Sequence, residues 1–247
     1  MDGVLFNQEK TFKKDLLFFL NKIINNEYFS LSRWGDGELM IIEKEFIDLT
    51  NIKNGEFKFD PNDEKYNNVS ENLIKSFKFV DDNYYVGIAC RCCVGNEKHN
   101  YMKNLSNQPE KNLTWANIFV NSNYNFFIEN YLKEFIKKDI IMVVNKKCDI
   151  SKLPFKVEDV YYVGVDAWLN DYFIIDEIKN KYKNKTNKIF LFAAGPLANI
   201  LCYELWNSMN KNNTYIDIGS TLDVIMGMKP TRGYLKGANT LKKECIW

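Results

Sequence analysis

A chain of 247 residues with 46% apolar composition can bury a sizeable core and is neither disordered nor fibrous. Its 33 basic and 32 acidic residues leave a formal charge of +1, which supplies no general field for nucleic acid or anionic lipid. Six cysteines, at 90, 92, 93, 148, 202 and 245, are irregularly spaced in a chain that needs no staples, and they favour a reduced, cytoplasmic protein. The opening MDGVLFNQEK carries charges among its apolar residues, unlike a signal peptide, and no apolar run approaches the roughly 20 residues of a membrane span. A soluble protein is expected, with peripheral membrane association left open.

Taken in chain order, Phe12, Leu16, Phe19, Leu20, Ile23 and Ile24 recur at helical spacing over 11–25, and 28–34 alternates like a short strand. A second helix is expected from 38 to 47. The stretch TNIKNGEFKFDPNDEKYNN offers few core residues beyond Phe57 and Phe59 and reads as a surface excursion. A helix over 70–79 leads to the strand YYVGIA at 84–89, then a weak helix near 97–107 and an unassigned TWANIFVNS. Helix 125–138, strand 139–145, strand 160–165, helix 171–183 and strand 188–194 follow. The chain closes with a helix beyond Gly195 and Pro196, the strand TYIDIG at 214–219 and a short helix at 221–227. Apolar strands alternating with helices predict a mainly parallel α/β sheet covered on both faces. One domain over 1–247 is expected, with elaborations around 45–70 and 90–125.

Ligands of such sheets collect beyond the carboxyl ends of the strands, so the loops at 34–38, 194–199 and 217–223 become candidates for one site. Asp36 and Glu38, separated by Gly37, offer hard oxygen ligands that suit Mg²⁺ or Mn²⁺ with a diphosphate. Acids and glycines are also ordinary turn and N-cap residues, and the triplet alone leaves both readings open. Gly195 and Pro196 in FAAGPLAN fit a strand-to-helix corner whose free backbone donors could cradle a phosphate, or a plain turn. Neither GxGxxG nor GxxxxGK[ST] is present, which argues against dinucleotide and P-loop chemistry.

SRWGDGE at 32–38, taken with YIDIGSTLDVIMG at 215–227, resembles the GT-D glycosyltransferase domain of bacterial sugar-transfer proteins, first described as a domain of unknown function. The resemblance covers most of residues 11–235. It implies a Rossmann-like fold of GT-D type, an Asp-x-Glu metal motif, Mn²⁺ (or Mg²⁺), and a nucleotide-sugar donor such as a uridine diphosphate hexose. Arg33, Gly35, Asp36, Gly37 and Glu38 match the signature loop, with Asp36 and Glu38 taking the metal assignment. Asp217, Gly219, Ser220 and Asp223 match the second element. The acceptor implied is a glycan or glycoprotein. Trp34 stands where the family often has a different aromatic residue.

Around these, Gly195, Pro196 and Asn199 are candidates for donor binding. Asp223 is either a general base or a helix-start acid, and Ser220 suits a cap or a donor-positioning role. Of the three arginines, Arg33 is best placed for a diphosphate, Arg232 could close over it, and Arg91 lies in a loop that could meet the acceptor. Cys90, Cys92 and Cys93 with His99 only faintly resemble a zinc motif, and buried thiols or a loop surface are the simpler reading. His99, the sole histidine, could be a base or an exposed residue. Trp115, Tyr161, Tyr162 and Trp168 could stack on a sugar or simply fill the core. The resulting expectation is a metal-dependent hexosyltransferase. Its rivals are a metal-dependent phosphodiesterase or nucleotide-sugar hydrolase, and a non-catalytic nucleotide- or glycan-binding module.

Overall fold

The structure is a computed structural model describing residues 10–51, 56–236 and 241–247. Residues 1–9, which include most of the charged opening, and residues 52–55 of the expected excursion lie outside the described residues, as do 237–240. The elements in order are α1 (Phe12–Ile24), β1 (Ser30–Arg33), α2 (Asp36–Ile42), β2 (Ile47–Asp48), β3 (Lys58–Phe59), α3 (Asn67–Lys78), β4 (Tyr84–Ile88), α4 (Arg91–Ser106) and β5 (Leu113–Trp115). They continue with α5 (Tyr124–Phe135), β6 (Asp139–Asn145), β7 (Val157–Val163), α6 (Ala167–Asn170), α7 (Ile174–Tyr182), β8 (Lys188–Ala193), α8 (Pro196–Ser208) and β9 (Thr214–Asp217).

Seven strands form one sheet in the order β5-β4-β1-β9-β8-β6-β7, and every neighbouring pair is parallel. All seven carboxyl ends therefore open on one edge. The expected mainly parallel, Rossmann-like sheet with helices on both faces is what the chain forms. Strand residues alternate between two buried layers, as a two-sided sheet requires. Tyr84, Val86, Ile88, Phe190 and Phe192 pack on one face with Leu73 and Phe77 of α3 and Leu197 and Leu205 of α8. Tyr85, Ile189 and Leu191 point the other way, against Phe12, Leu16 and Phe19 of α1 and Phe127 and Tyr131 of α5. Each such side chain, fully buried, contributes about 1.5–3 kcal/mol of hydrophobic stabilisation.

Several boundaries differ from expectation for local reasons. The second helix starts at Asp36 rather than 38, because Gly35 serves as its N-cap. Helix α4 begins at Arg91 and is broken at Gly95, whose φ of +82° interrupts the helical backbone and hides its first turn from a periodicity search. The first two residues of the unassigned TWANIFVNS, with Leu113 before them, form β5, a short edge strand. Gly87 lets it approach closely: a Cβ there would lie 2.9 Å from the Trp115 carbonyl oxygen.

Residues 56–66 of the expected surface excursion are tied into the core. Phe57 and Phe59 are buried, and Phe59 packs on Tyr66 and Trp168. Its anchor is Asp166, a residue in the left-handed region (φ +56°) that Asp tolerates better than most. The Asp166 carboxylate accepts from Lys58 N at 3.1 Å, Tyr66 OH at 3.0 Å and Trp168 Nε1 at 2.7 Å, while its own N–H donates to Glu56 O at 2.8 Å. Asp166→Ala removes a charged acceptor serving three donors, each such bond being worth about 1.5–3 kcal/mol. Urea unfolding should show a loss on the order of 3 kcal/mol, with proteolytic nicking moving to residues 45–66. Unchanged stability and an unchanged cleavage map would contradict this anchoring.

Candidate active site

The signature loop is the outlet of β1. Trp34 N donates to Gly87 O at 2.7 Å, fixing the outlet to β4, and the chain then turns through Gly35 into α2. Asp36 and Glu38 thus sit in the first helical turn, where unpaired N–H groups and the helix dipole favour negative charge. Residues two apart on a helix ordinarily point away from each other. Here Glu38 folds back over the helix end, its Oε2 accepting the Gly35 N–H at 2.9 Å, while exposed Asp36 accepts the Gly37 N–H at 3.2 Å. The helix-cap reading of the acids is therefore correct as local structure.

Next to this turn ends β9. Asp217 is buried, with Oδ1 3.6 Å from Arg33 Nη2 and accepting the Gly219 N–H at 2.9 Å. Its Oδ2 accepts from Arg33 N at 3.3 Å, and Arg33 Nη1 donates to Ala116 O at 3.0 Å. Gly219, at φ +50°, is required: a Cβ there would stand 2.2 Å from Arg33 Nη2. Burial raises the Asp217 carboxyl, against the lowering effect of Arg33. Glu38 is pushed up to about 7 by burial, with the charges of Asp217 and Asp36 adding to it. Asp223 is pushed up to about 6, mainly by burial, with Arg232 opposing and Glu56 adding.

These groups share one cavity of about 860 Å³ at the carboxyl edge of the sheet. Arg33 and the run from Gly35 to Glu38 line it from β1, Gly195 from β8, Asp217, Gly219, Ser220 and Asp223 from β9, and Arg232 from the C-terminal segment. Pro196 and Asn199 do not reach it. Pro196 is buried at the start of α8, and Asn199 Nδ2 is spent on Ser32 Oγ at 3.1 Å and Arg33 O at 2.8 Å. Asn199 ties α8 to the β1 outlet.

Sequence reasoning missed Glu56, Phe57, Asn117, Asn145 and Tyr234, all of which line the same cavity. Asn145 had a signal, since it ends an expected strand. Glu56 and Phe57 belong to the segment read as surface. Phe57 lies where a Cβ on Gly37 would meet it at 3.0 Å, so Gly37 makes room for the excursion. Tyr234 OH lies 3.1 Å from Ser220 Oγ.

Other candidates fall elsewhere. His99 is fully buried, Nδ1 at 2.9 Å from Ala89 O and its ring edge-on to Trp247; burial lowers its pKa, and it does not line the cavity. Trp115 and Trp168 are completely buried core residues, whereas Tyr162 is exposed on β7. Arg91 is exposed at the start of α4. Cys90 is buried there and Cys92 and Cys93 are exposed, the three sulfurs lying within 4.8 Å of one another. Hydrogen bonds from the Cys245 and Cys90 thiols, with the Lys243 ammonium beside them, hold Cys93 far below the usual thiol range. No helix among the described residues is long and apolar enough to cross a membrane.

No protein-family profile matches the sequence, and no curated protein matches it. Solved structures do share its fold. One, described as the highly conserved domain of unknown function 1792 with a distinct glycosyltransferase fold, gives a TM-score of 0.54 at 18% identity over 86% of this chain and 81% of its own. Another, described as a new glycosyltransferase of the same domain type from Streptococcus sanguinis, gives a TM-score of 0.57 at 16% identity over 89% and 85%. The chain has the GT-D fold described for that domain, as its signature segments lead one to expect.

The raised Glu38 carboxyl makes a signed prediction. A group that keeps its proton longer when folded loses stability as pH rises from its ordinary value near 4.5 to its folded value near 7, and the loss is then constant above it. Glu38→Gln keeps an acceptor for Gly35 N–H but drops the charge. Its unfolding free energy should exceed the parent's at pH 8, by on the order of 1–3 kcal/mol, and match it at pH 4. A penalty of equal size at both pH values would contradict the crowding of charge at this position.

Proposed function

We propose that this cavity is the active centre of a metal-dependent glycosyltransferase. It would move a hexose from a nucleoside diphosphate sugar, uridine-linked in the first instance, to a hydroxyl of a glycan or glycoprotein. The observation that carries the reading is that Asp36, Glu38, Asp217 and Asp223 line one cavity with Arg33 and Arg232, in a fold described for a glycosyltransferase. Six free cysteines suit a reducing, cytoplasmic setting, where such donors are made.

The donor set fits Mn²⁺ or Mg²⁺. Carboxylate oxygens are hard ligands, and Glu38, crowded by Asp217 and Asp36, gains from a neighbouring cation. Asp36 and Glu38 would hold the ion, whose chemistry there is to neutralise the charge that grows on the leaving diphosphate.

The chain's own groups do the rest. Arg33 is held by Ala116 O and Asp217, and its Nε is buried without a partner among the described residues, a donor that suits a phosphate oxygen. Gly195 brings the N-terminus of α8 to the cavity, where backbone N–H groups favour an anion. Arg232, 3.3 Å from Glu56, adds a second guanidinium. Asp223, with its carboxyl near 6, is ionised at neutral pH yet basic enough to take the proton of an attacking hydroxyl. Asp217 positions Arg33.

A nucleotide-sugar panel with pooled glycan and glycopeptide acceptors, read by mass spectrometry with and without Mn²⁺, tests the reading. A donor-derived adduct that needs the metal is expected. Asp36→Asn and Glu38→Gln should each lower kcat/KM by at least about a hundredfold while the protein stays folded. Free sugar without adduct would make the protein a hydrolase, and binding without turnover would make it a recognition module; either contradicts transfer.

The pH dependence of kcat/KM tests the base separately. An acidic limb with an apparent pKa near 6 is expected, and Asp223→Asn should remove that limb along with most of the activity. Retention of both would assign the base elsewhere.

A further inference from the structure

Behind the wall formed by Ala116 and Asn117, a second group of reactive side chains gathers that the proposed reaction does not use. Cys90 is the N-cap of α4, Cys92 and Cys93 lie in its first turn, and their three sulfurs fall within 4.8 Å of one another, with Cys90 and Cys92 at 3.2 Å. The fourth thiol arrives from the other end of the chain. One nitrogen, Asn117 Nδ2, touches three of the sulfurs: Cys245 at 2.8 Å, Cys90 at 3.6 Å and Cys93 at 3.8 Å. Two more donors are aimed at the group, Asn121 Nδ2 at 3.4 Å from Cys245 and Lys243 Nζ at 3.3 Å from Cys93.

We propose that Cys90, Cys92, Cys93 and Cys245 form a tetrathiolate site for a structural zinc ion that pins the C-terminal segment to the start of α4. Zinc bound by four thiolates has Zn–S distances of about 2.3 Å, which puts the sulfurs about 3.8 Å apart in a tetrahedron. The sulfurs of Cys90, Cys92 and Cys93, within 4.8 Å of one another, are already near that spacing. Cys245 shares the Asn117 amide with Cys90 and Cys93, and rotation of the exposed Cys92 side chain about χ1 would bring the fourth sulfur to the ion. Four thiolates around one dication leave a net negative charge. The Lys243 ammonium, the two amide donors and the N-terminal end of α4 surround the sulfurs and offset it, as outer-shell donors do at zinc centres. Soft sulfur ligands also keep this site apart from the carboxylates, which select a harder ion. With four protein ligands there is no open position for substrate, so the role is structural.

The consequence is local order beside the cavity. The segment held by Cys245 also accepts at two carbonyls, Ile246 O from Arg91 N at 3.3 Å and Lys243 O from Ser122 N at 3.2 Å, and it seats Trp247 against Trp115 and His99. Asn117 lines the cavity and touches the sulfurs, so the ion would stiffen one cavity wall.

The test is metal analysis of the full chain purified without chelator. About one zinc per chain is expected. After exchange for Co²⁺, intense visible ligand-field bands and a thiolate-to-cobalt charge-transfer band of a tetrahedral tetrathiolate should appear. Cys245→Ser should lower zinc affinity at least about tenfold in competition with a chromophoric chelator, while Cys148→Ala leaves it unchanged. If Cys245→Ser folds poorly, the wild-type cobalt spectrum decides alone. A metal-free protein, iron in place of zinc, a Cys93–Cys245 disulfide in peptide maps, or a spectrum with fewer than four sulfur ligands would overturn the proposal. None of these readouts depends on sugar transfer.

Discussion

The site depends on an ion pair at the middle of the sheet. β1 and β9 are neighbours, with Leu31 opposite Ile216, so Arg33 and Asp217 emerge side by side at the carboxyl edge. Asp217 accepts from Arg33 N and Gly219 N, its Oδ1 stands 3.6 Å from Arg33 Nη2, and Arg33 Nη1 reaches across to Ala116 O beyond β5. Three strand outlets are thereby held by one guanidinium. Pairs buried to this degree contribute little net stability, but removing one partner strands the other charge at a cost of about 3–5 kcal/mol. The conformation of Gly219 follows from the same contact, since any side chain there would displace the arginine.

Around that pair the molecule places charge where folding alone would not. Glu38 and Asp223 have carboxyls raised by burial, and Asp217, itself raised, adds to the crowding on Glu38. Groups held this way cluster at functional sites, where the stability they cost is recovered on binding a cation or substrate. The excursion carrying Glu56 and Phe57 covers the same cavity, and its anchor at Asp166 lies in the loop after β7. Cavity walls therefore come from strand outlets, an insertion and the C-terminal segment, with the sheet fixing the first and side-chain hydrogen bonds the others.

Much of the sheet was legible because both faces of each central strand are buried. Runs such as DIIMVVN and KIFLFAA are continuous and apolar, and 139–145 coincides with β6 end for end. The acids at 36 and 38 and the corner at 217–223 were legible from the rule that parallel sheets gather function at their carboxyl ends. What periodicity could not carry was long-range pairing. Asn199 reads as a donor-binding candidate in a strand-to-helix corner, yet its amide nitrogen is consumed by Ser32 and Arg33, some 166 positions earlier. β5 is only three residues long and recognisable by its seat against Gly87. The thiols at 90–93 only faintly resemble a zinc motif in sequence, because Cys245 reaches the Asn117 amide beside them only through the fold of the tail.

The central claim is that the acids at the β1 outlet hold a cation against a diphosphate. Crystals grown with uridine diphosphate and Mn²⁺, with diffraction recorded at the manganese edge, test it most directly. The account predicts an anomalous peak bonded to the Asp36 and Glu38 carboxylates and to a phosphate oxygen inside the cavity. A nucleotide bound there with no metal at those acids, or a manganese peak at another place, would contradict it.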